Sequence, residues 1–189
     1  MRPLLFSIAY LGFSPRLASE RSDSAEYRLE KICSLIESSA LSIHDLSRLK
    51  ASKVDEFYRL NMPFELGIDW GLRRFGSAQS RRKQFLILET NPHDFKIALS
   101  DLSGIDIKSH SDSPNELVRA VRDWFYETVG VKEAPSPSGL LGTFNDFSTA
   151  LFEERIGRGL LEPAVVEDIE RMSVTEYLDS VERWIESTS

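Results

Sequence analysis

Cysteine occurs once in the 189 residues, at Cys33, and histidine three times, at His44, His93 and His110. A single thiol excludes disulfides within the chain, and its place in the apolar stripe of a predicted helix suits an ordinary buried side chain. The histidines share no ligand-pair spacing with one another or with Cys33, so no metal site is expected, and no other cofactor. No run approaches the roughly 18 consecutive apolar residues of a membrane-spanning helix. The first six residues carry one charge and too short an apolar run for a signal peptide, so a soluble, cytoplasmic protein is expected. Gly-rich spacing after the first expected strand and Gly-x-Ser-x-Gly are both missing, which removes phosphate-loop, dinucleotide and nucleophile-elbow chemistry. Basic charge is also short. With 23 Lys and Arg against 30 Asp and Glu, the formal charge is −7, which opposes non-specific attraction to nucleic acid. The densest basic group, Arg73, Arg74, Arg81, Arg82 and Lys83, precedes an expected strand and so falls at the edge opposite to where open α/β sheets bind ligands; a solvated surface is its expected role.

What the chain does have is alternation. Residues 6–10 read as a first strand, followed by a turn-rich loop over 11–22. Asp23 with Glu26 resembles a capping box for a helix carrying Leu29, Ile32, Cys33 and Ile36 on one face. Residues 41–45 form a short strand ending in Asp45. After a polar loop through Lys53 and Tyr58, a helix starts at Asn61, with Pro63 tolerated in its first turn. Its stripe of Phe64, Gly67, Ile68, Gly71, Leu72 and Phe75 is expected to pack on the sheet, the two glycines allowing close approach. A strand over 85–89, a helical stretch over 95–99 and a strand over 105–109 continue the pattern. Ser113, Pro114 and Glu116 then start a helix whose core face is Leu117, Val121, Trp124 and Phe125, ended by Gly130.

Strands alternating with helices specify a parallel sheet with right-handed crossovers. The expectation is a three-layer, Rossmann- or flavodoxin-like α/β domain over 1–133 with about four to five strands. Residues 134–139 read as a linker to a helical extension over 134–189, in which Ser173 and Glu176 cap the last helix. The extension's apolar residues, including Phe144, Phe147, Leu151, Tyr177 and Trp184, must be buried, and pairing with a second copy is the favoured arrangement.

In such sheets ligands bind beyond the carboxyl ends of the strands, where Tyr10, Asp45 and His110 fall. Glu65 reaches the same edge because a helix following a strand begins there, and the free N–H groups of a first turn favour an ionised carboxylate. The plainer role of Glu65 is to help the helix begin. Asp45 could equally close a turn with Ser47, and His44, alternating with Asp45, points to the opposite face.

Two segments together, Ile43-His44-Asp45-Leu46-Ser47 and Asn61-Met62-Pro63-Phe64-Glu65-Leu66-Gly67, resemble the nucleoside 2-deoxyribosyltransferase-like superfamily, to which TIR-like NAD hydrolases are related. The chain is also similar to uncharacterised bacterial proteins carrying the same Asn-Met-Pro-Phe-Glu-Leu-Gly stretch. The resemblance implies that Glu65 is the glycosidic nucleophile or cation stabiliser, that Asp45 contacts the sugar or assists the leaving base, and that Tyr10 hydrogen-bonds Glu65. It further implies substrate contacts from Asn61, Arg16 and Ser47. The expected function is cleavage of the N-glycosidic bond of a nucleoside, nucleotide or NAD-like molecule by a homo-oligomeric bacterial stress or phage-defence effector. Its rivals are a non-catalytic nucleotide-sensing or protein-interaction module and a structural partner assembled through the tail.

Overall fold

The computed structural model describes residues 1–20, 23–49 and 60–188. The expected loop through Lys53 and Tyr58, and the end of the loop over 11–22, lie outside them. Among the described residues the sheet has three parallel strands, β1 (Leu41–Asp45), β2 (Gln84–Glu89) and β3 (Lys108–Ser109), in the order β1-β2-β3. Leu41 lies opposite Gln84 and Asp45 opposite Leu88, while Glu89 faces Ser109. The helices in chain order are α1 (Arg2–Tyr10), α2 (Arg28–Ser38), α3 (Asn61–Phe75), α4 (Phe95–Ala98), α5 (Pro114–Trp124), α6 (Pro137–Gly157), α7 (Glu162–Arg171) and α8 (Val174–Thr188).

The two-residue period of β2 builds both interfaces of the sheet. Phe85 and Ile87 pack with Leu46, Leu66 and Phe95 on one side. Leu86 and Leu88 pack with Leu4, Ile8, Val121 and Trp124 on the other. The sheet is therefore covered on both faces by helices, as parallel sheets generally are.

The expected first strand is instead part of α1. Pro3 begins this helix without losing an intrahelical bond. Leu4 and Ile8 face the sheet, whereas Leu5, Phe6, Ala9 and Tyr10 face the C-terminal helices. A helix apolar on two sides lacks the amphipathic period, and over five residues it imitates a buried strand.

The orientation of α3 also differs from expectation. Leu66 and Asp69 are buried, while Phe64 and Phe75 are 58% and 82% exposed. A Cβ on Gly67 or Gly71 would meet nothing within 4 Å, so neither glycine serves close packing. Expected helix starts hold at Ser113, which accepts from Glu116 N at 3.4 Å, and at Ser173, which accepts from Glu176 N at 3.2 Å. Asp23 instead closes a turn with Ala25 N at 2.9 Å, a turn before α2 begins, and Cys33 is half-buried.

Beyond α5 the chain winds into a wider π turn, Phe125–Val129, that ends at Gly130 with φ 92°. The stretch read as a linker is tied down: Arg122 donates to the Pro135 carbonyl at 2.6 Å and to the Ala134 carbonyl at 3.1 Å, and Ser136 caps α6. Leu140 and Phe147 from α6 and Tyr177 and Val181 from α8 bury themselves against Leu5 and Phe6 of α1 and Val118 of α5. Arg155 of α6 joins Asp168 of α7 at 3.3 Å and Glu176 of α8 at 2.8 Å. These tail residues are thus buried within the chain, while Leu161 and Val166 stay exposed. No described helix is long and apolar enough to cross a membrane.

Candidate functional site

The carboxyl ends of all three strands gather polar groups. Asp45 ends β1 and is exposed; its Oδ1 accepts from Ser47 N at 3.0 Å and from the Ser47 hydroxyl. That is the turn-closing habit of an aspartate after a strand. The Ser47 hydroxyl also meets His110 Nε2 at 2.8 Å across the end of β2, and His110 Nε2 stands 3.6 Å from Asp45 Oδ1. Serine has one proton to give and a carboxylate accepts only, so Ser47 donates to Asp45 and accepts from His110 Nε2–H. This is not an acyl-transfer triad, in which the acid would lie behind the imidazole. Ser111 and Asp112 follow with φ 51° and 52°, left-handed values that turn the chain sharply into the start of α5.

Glu89, buried at the end of β2, is occupied structurally: its carboxylate accepts from His93 N at 2.7 Å and Phe95 N at 3.1 Å. Beside it, a cavity of about 280 Å³ is lined by His93, Lys96, Ser103, Asp106 and Ser109.

On the α3 side, β1 directs Ser42 and His44 toward the helix. Asp69, wholly buried, receives His44 Nε2 at 3.1 Å on Oδ2, stands 3.3 Å from Lys83 Nζ on Oδ1, and takes a hydrogen bond from Ser42. Burial pushes this carboxyl up. The hydrogen bonds from His44 and Ser42, with the charge of Lys83, more than offset that and hold it below its ordinary value. Lys83 is not the solvated cation expected of the basic group: it is 3% exposed and also donates to the Ile36 carbonyl at 2.6 Å and to the Ser39 carbonyl, closing the end of α2.

Glu65 lies one helical turn before Asp69, half-buried, toward the end of α3 where β1 finishes. It is the fifth residue of α3, just past the first turn expected to ionise it. Burial raises its proton affinity, and the charges of Arg28 and His44 only partly reverse this.

The structure brings together Asp45, Ser47 and His110, and separately Glu65, His44, Asp69 and Lys83. No hydrogen bond or ion pair joins Asp45 to Glu65 among the described residues. Tyr10 is not a partner of Glu65: it ends α1, stacked on Phe6 at 5.6 Å and packed toward the C-terminal helices. Arg16 is exposed and bound to Glu20 through both carboxylate oxygens, and Asn61 is the exposed first residue of α3. Asp69 was not among the expected site residues, and Lys83 was expected only as a solvated cation. The available signal was the i, i+4 spacing of Glu65 and Asp69, with His44 on the matching face of β1.

Among the described residues no group of histidines, cysteines and carboxylates could hold a metal ion. No family model, curated protein or solved structure matches the chain.

Proposed function

We propose that this protein cleaves the N-glycosidic bond of a nucleoside, nucleotide or NAD-like molecule, by hydrolysis or transfer. Glu65 is the nucleophile or the stabiliser of the oxocarbenium-like state, and Asp45 holds the sugar or assists the leaving base. The observation that carries the reading is Glu65 itself, a half-buried carboxyl near the start of α3, at the edge where β1 ends in Asp45. A half-buried carboxylate acts on developing positive charge more strongly than a fully exposed one. A homo-oligomeric stress or phage-defence effector in the bacterial cytoplasm, on a fuller Rossmann-like sheet, is the setting that goes with it.

The test is to incubate the full chain with NAD and a panel of nucleosides and to follow base release by chromatography. Glu65→Gln keeps shape and helix propensity and should lower release about 100-fold or more while the far-ultraviolet circular dichroism is unchanged. Release at the normal rate from this variant would return Glu65 to a structural role.

A second reading, a nucleotide-sensing module without turnover, is favoured by the cavity beside Glu89. It opens at the β2–β3 end of the sheet rather than at Glu65, and His93 and Lys96 line it. Calorimetry showing nucleotide binding that Lys96→Ala weakens, with no base released, would select it.

A further inference from the structure

We propose that the protein assembles head to tail, the arginine-rich end of α3 on one copy docking against the acidic outer face of α7 on the next. This gives the homo-oligomer of the glycosidase reading its two surfaces, and rests on that part of the reading alone.

The first surface is the end of α3 and the 3₁₀ turn Ser80–Arg82 behind it. Residues 73–82 carry four arginines and no acid. All four arginines are exposed, and none meets a carboxylate among the described residues. Arg73 lies over the Phe85 ring and Arg81 donates to the Gly76 carbonyl at 3.3 Å. Among them Phe75 is 82% exposed. Like charges gathered without a counter-charge repel one another, and a bare aromatic beside them leaves apolar area in water. Arginine next to an aromatic is also the composition that well-buried interfaces favour.

The second surface has the opposite sign. Residues 161–170 carry four acids and no base, and Leu161 is 78% exposed. Glu162, Val166 and Glu170 recur every fourth position, so they share one stripe of α7, while Val165 anchors the buried side. Val166 is exposed on that stripe. Asp168 is paired with Arg155 and Glu167 with Arg171, whereas the carboxylates of Glu162 and Glu170 meet no cation among the described residues. The two patches are complementary in charge, and each has a large apolar side chain to bury.

One molecule cannot join its own patches. α3 packs on the sheet face that carries Ile87 and Phe95, whereas α7 lies against α6, in the layer beyond α1 and α5 on the other face. The matching surface therefore comes from a second copy. Such a contact is heterologous: a copy engaged through one patch still offers the other, so the product is a ring or a chain and not a two-fold pair. A polyanion such as RNA would suit the arginines, but it leaves the acidic stripe of α7 without a partner and meets a net charge of −7.

The test is sedimentation velocity on the full-length protein. The wild type should gain mass with concentration across the micromolar range. Raising the ionic strength from about 0.05 to about 0.5 M shortens the screening length roughly threefold and should weaken association about 10-fold or more. One variant, Arg74→Gln with Phe75→Ser and Arg82→Gln, loses the first patch. Another, Leu161→Ser with Glu162→Gln and Glu170→Gln, loses the second. Each should stay monomeric alone with its thermal melt unchanged, and the two mixed should form a 1:1 complex that grows no further, since each keeps the patch the other lacks. A wild type that is monomeric at low salt, or whose mass stops at two copies, would overturn the proposal whether or not the variants fold. So would a folded variant that associates like the wild type, a mixture that forms no complex, or a monomer that binds an RNA oligonucleotide through the arginines. Base release plays no part in these readouts, so a chain inert toward NAD defeats the glycosidase reading and leaves this one to be decided by mass.

Discussion

At the scale of single residues, Asp69 carries more than its share of the fold. It is the one wholly buried carboxylate among the described residues, and it connects β1, α3 and, through Lys83, the end of α2. Breaking one member of a buried ionic cluster leaves the other charge uncompensated. Asp69→Asn should therefore cost about 3–5 kcal/mol in urea denaturation at neutral pH, and Asp69→Asn with Lys83→Met together should cost less than the sum of the two. A cost under about 1 kcal/mol for Asp69→Asn would show that the cluster is not desolvated in solution. Glu65 has the opposite sign. Its folded-state proton affinity is raised, so the stability it contributes is present at low pH and is lost as pH rises through its folded value. Glu65→Gln should accordingly melt at or above the wild-type temperature at pH 8, and a clear drop there would mean that the carboxylate itself supports the fold.

Among elements, α1 depends on both of its neighbours. Phe6 is fully buried, stacked on Phe147 at 5.3 Å and tilted against Trp184 at 6.0 Å. Phe6→Ala should cost about 3–5 kcal/mol, the usual range for a large aromatic removed from a core. Removing residues 137–189 should yield a chain without a cooperative thermal transition, since Leu5, Phe6 and Val118 would lose their cover. A soluble truncated chain that melts sharply would show instead that the sheet and its helices fold alone. The same double burial explains why α1 was illegible as a helix, for hydropathy carries no period when two faces are apolar. α3 was legible as a helix but not in its orientation. The two aromatics of its apolar stripe, Phe64 and Phe75, point outward and its buried face is centred on an aspartate, because the energy that seats it comes partly from ion pairing, to which hydrophobic patterning is blind.

For the whole molecule, stability should fall in acid through Asp69. Its folded-state proton affinity lies below the unfolded value, so its contribution is complete above the ordinary aspartate range and disappears as pH drops through the folded value. Acid unfolding followed by circular dichroism should thus shift toward neutral pH in His44→Gln, which removes one of the groups holding Asp69 down. Much of the β1–α3–β2–α4–β3–α5 order could be read directly, because caps and turn residues mark the joints and β2 is a continuous apolar run. The same order placed Asp45 and Glu65 near one edge. It could not reveal that His110 reaches Ser47 from 63 positions away, or that Tyr10 belongs to the far layer, since those depend on how helices roll and loops fold back.

One contact closes the molecule end to end: the Tyr177 hydroxyl donates to the Arg2 carbonyl at 3.2 Å, 175 positions earlier in the chain, while the Arg2 guanidinium lies over the Tyr177 ring. On the ribosome this means that α1 gains its full cover only once α8, the last of the described helices, is made. At about 5–20 residues per second the interval is roughly 10–35 s. Until α6 and α8 are both made, Leu5, Phe6 and Tyr10 are only partly covered, and the growing chain offers chaperones an apolar segment that the finished fold conceals. Synthesis slowed between α6 and α8 should therefore lower the folded yield more than the same delay placed within α1.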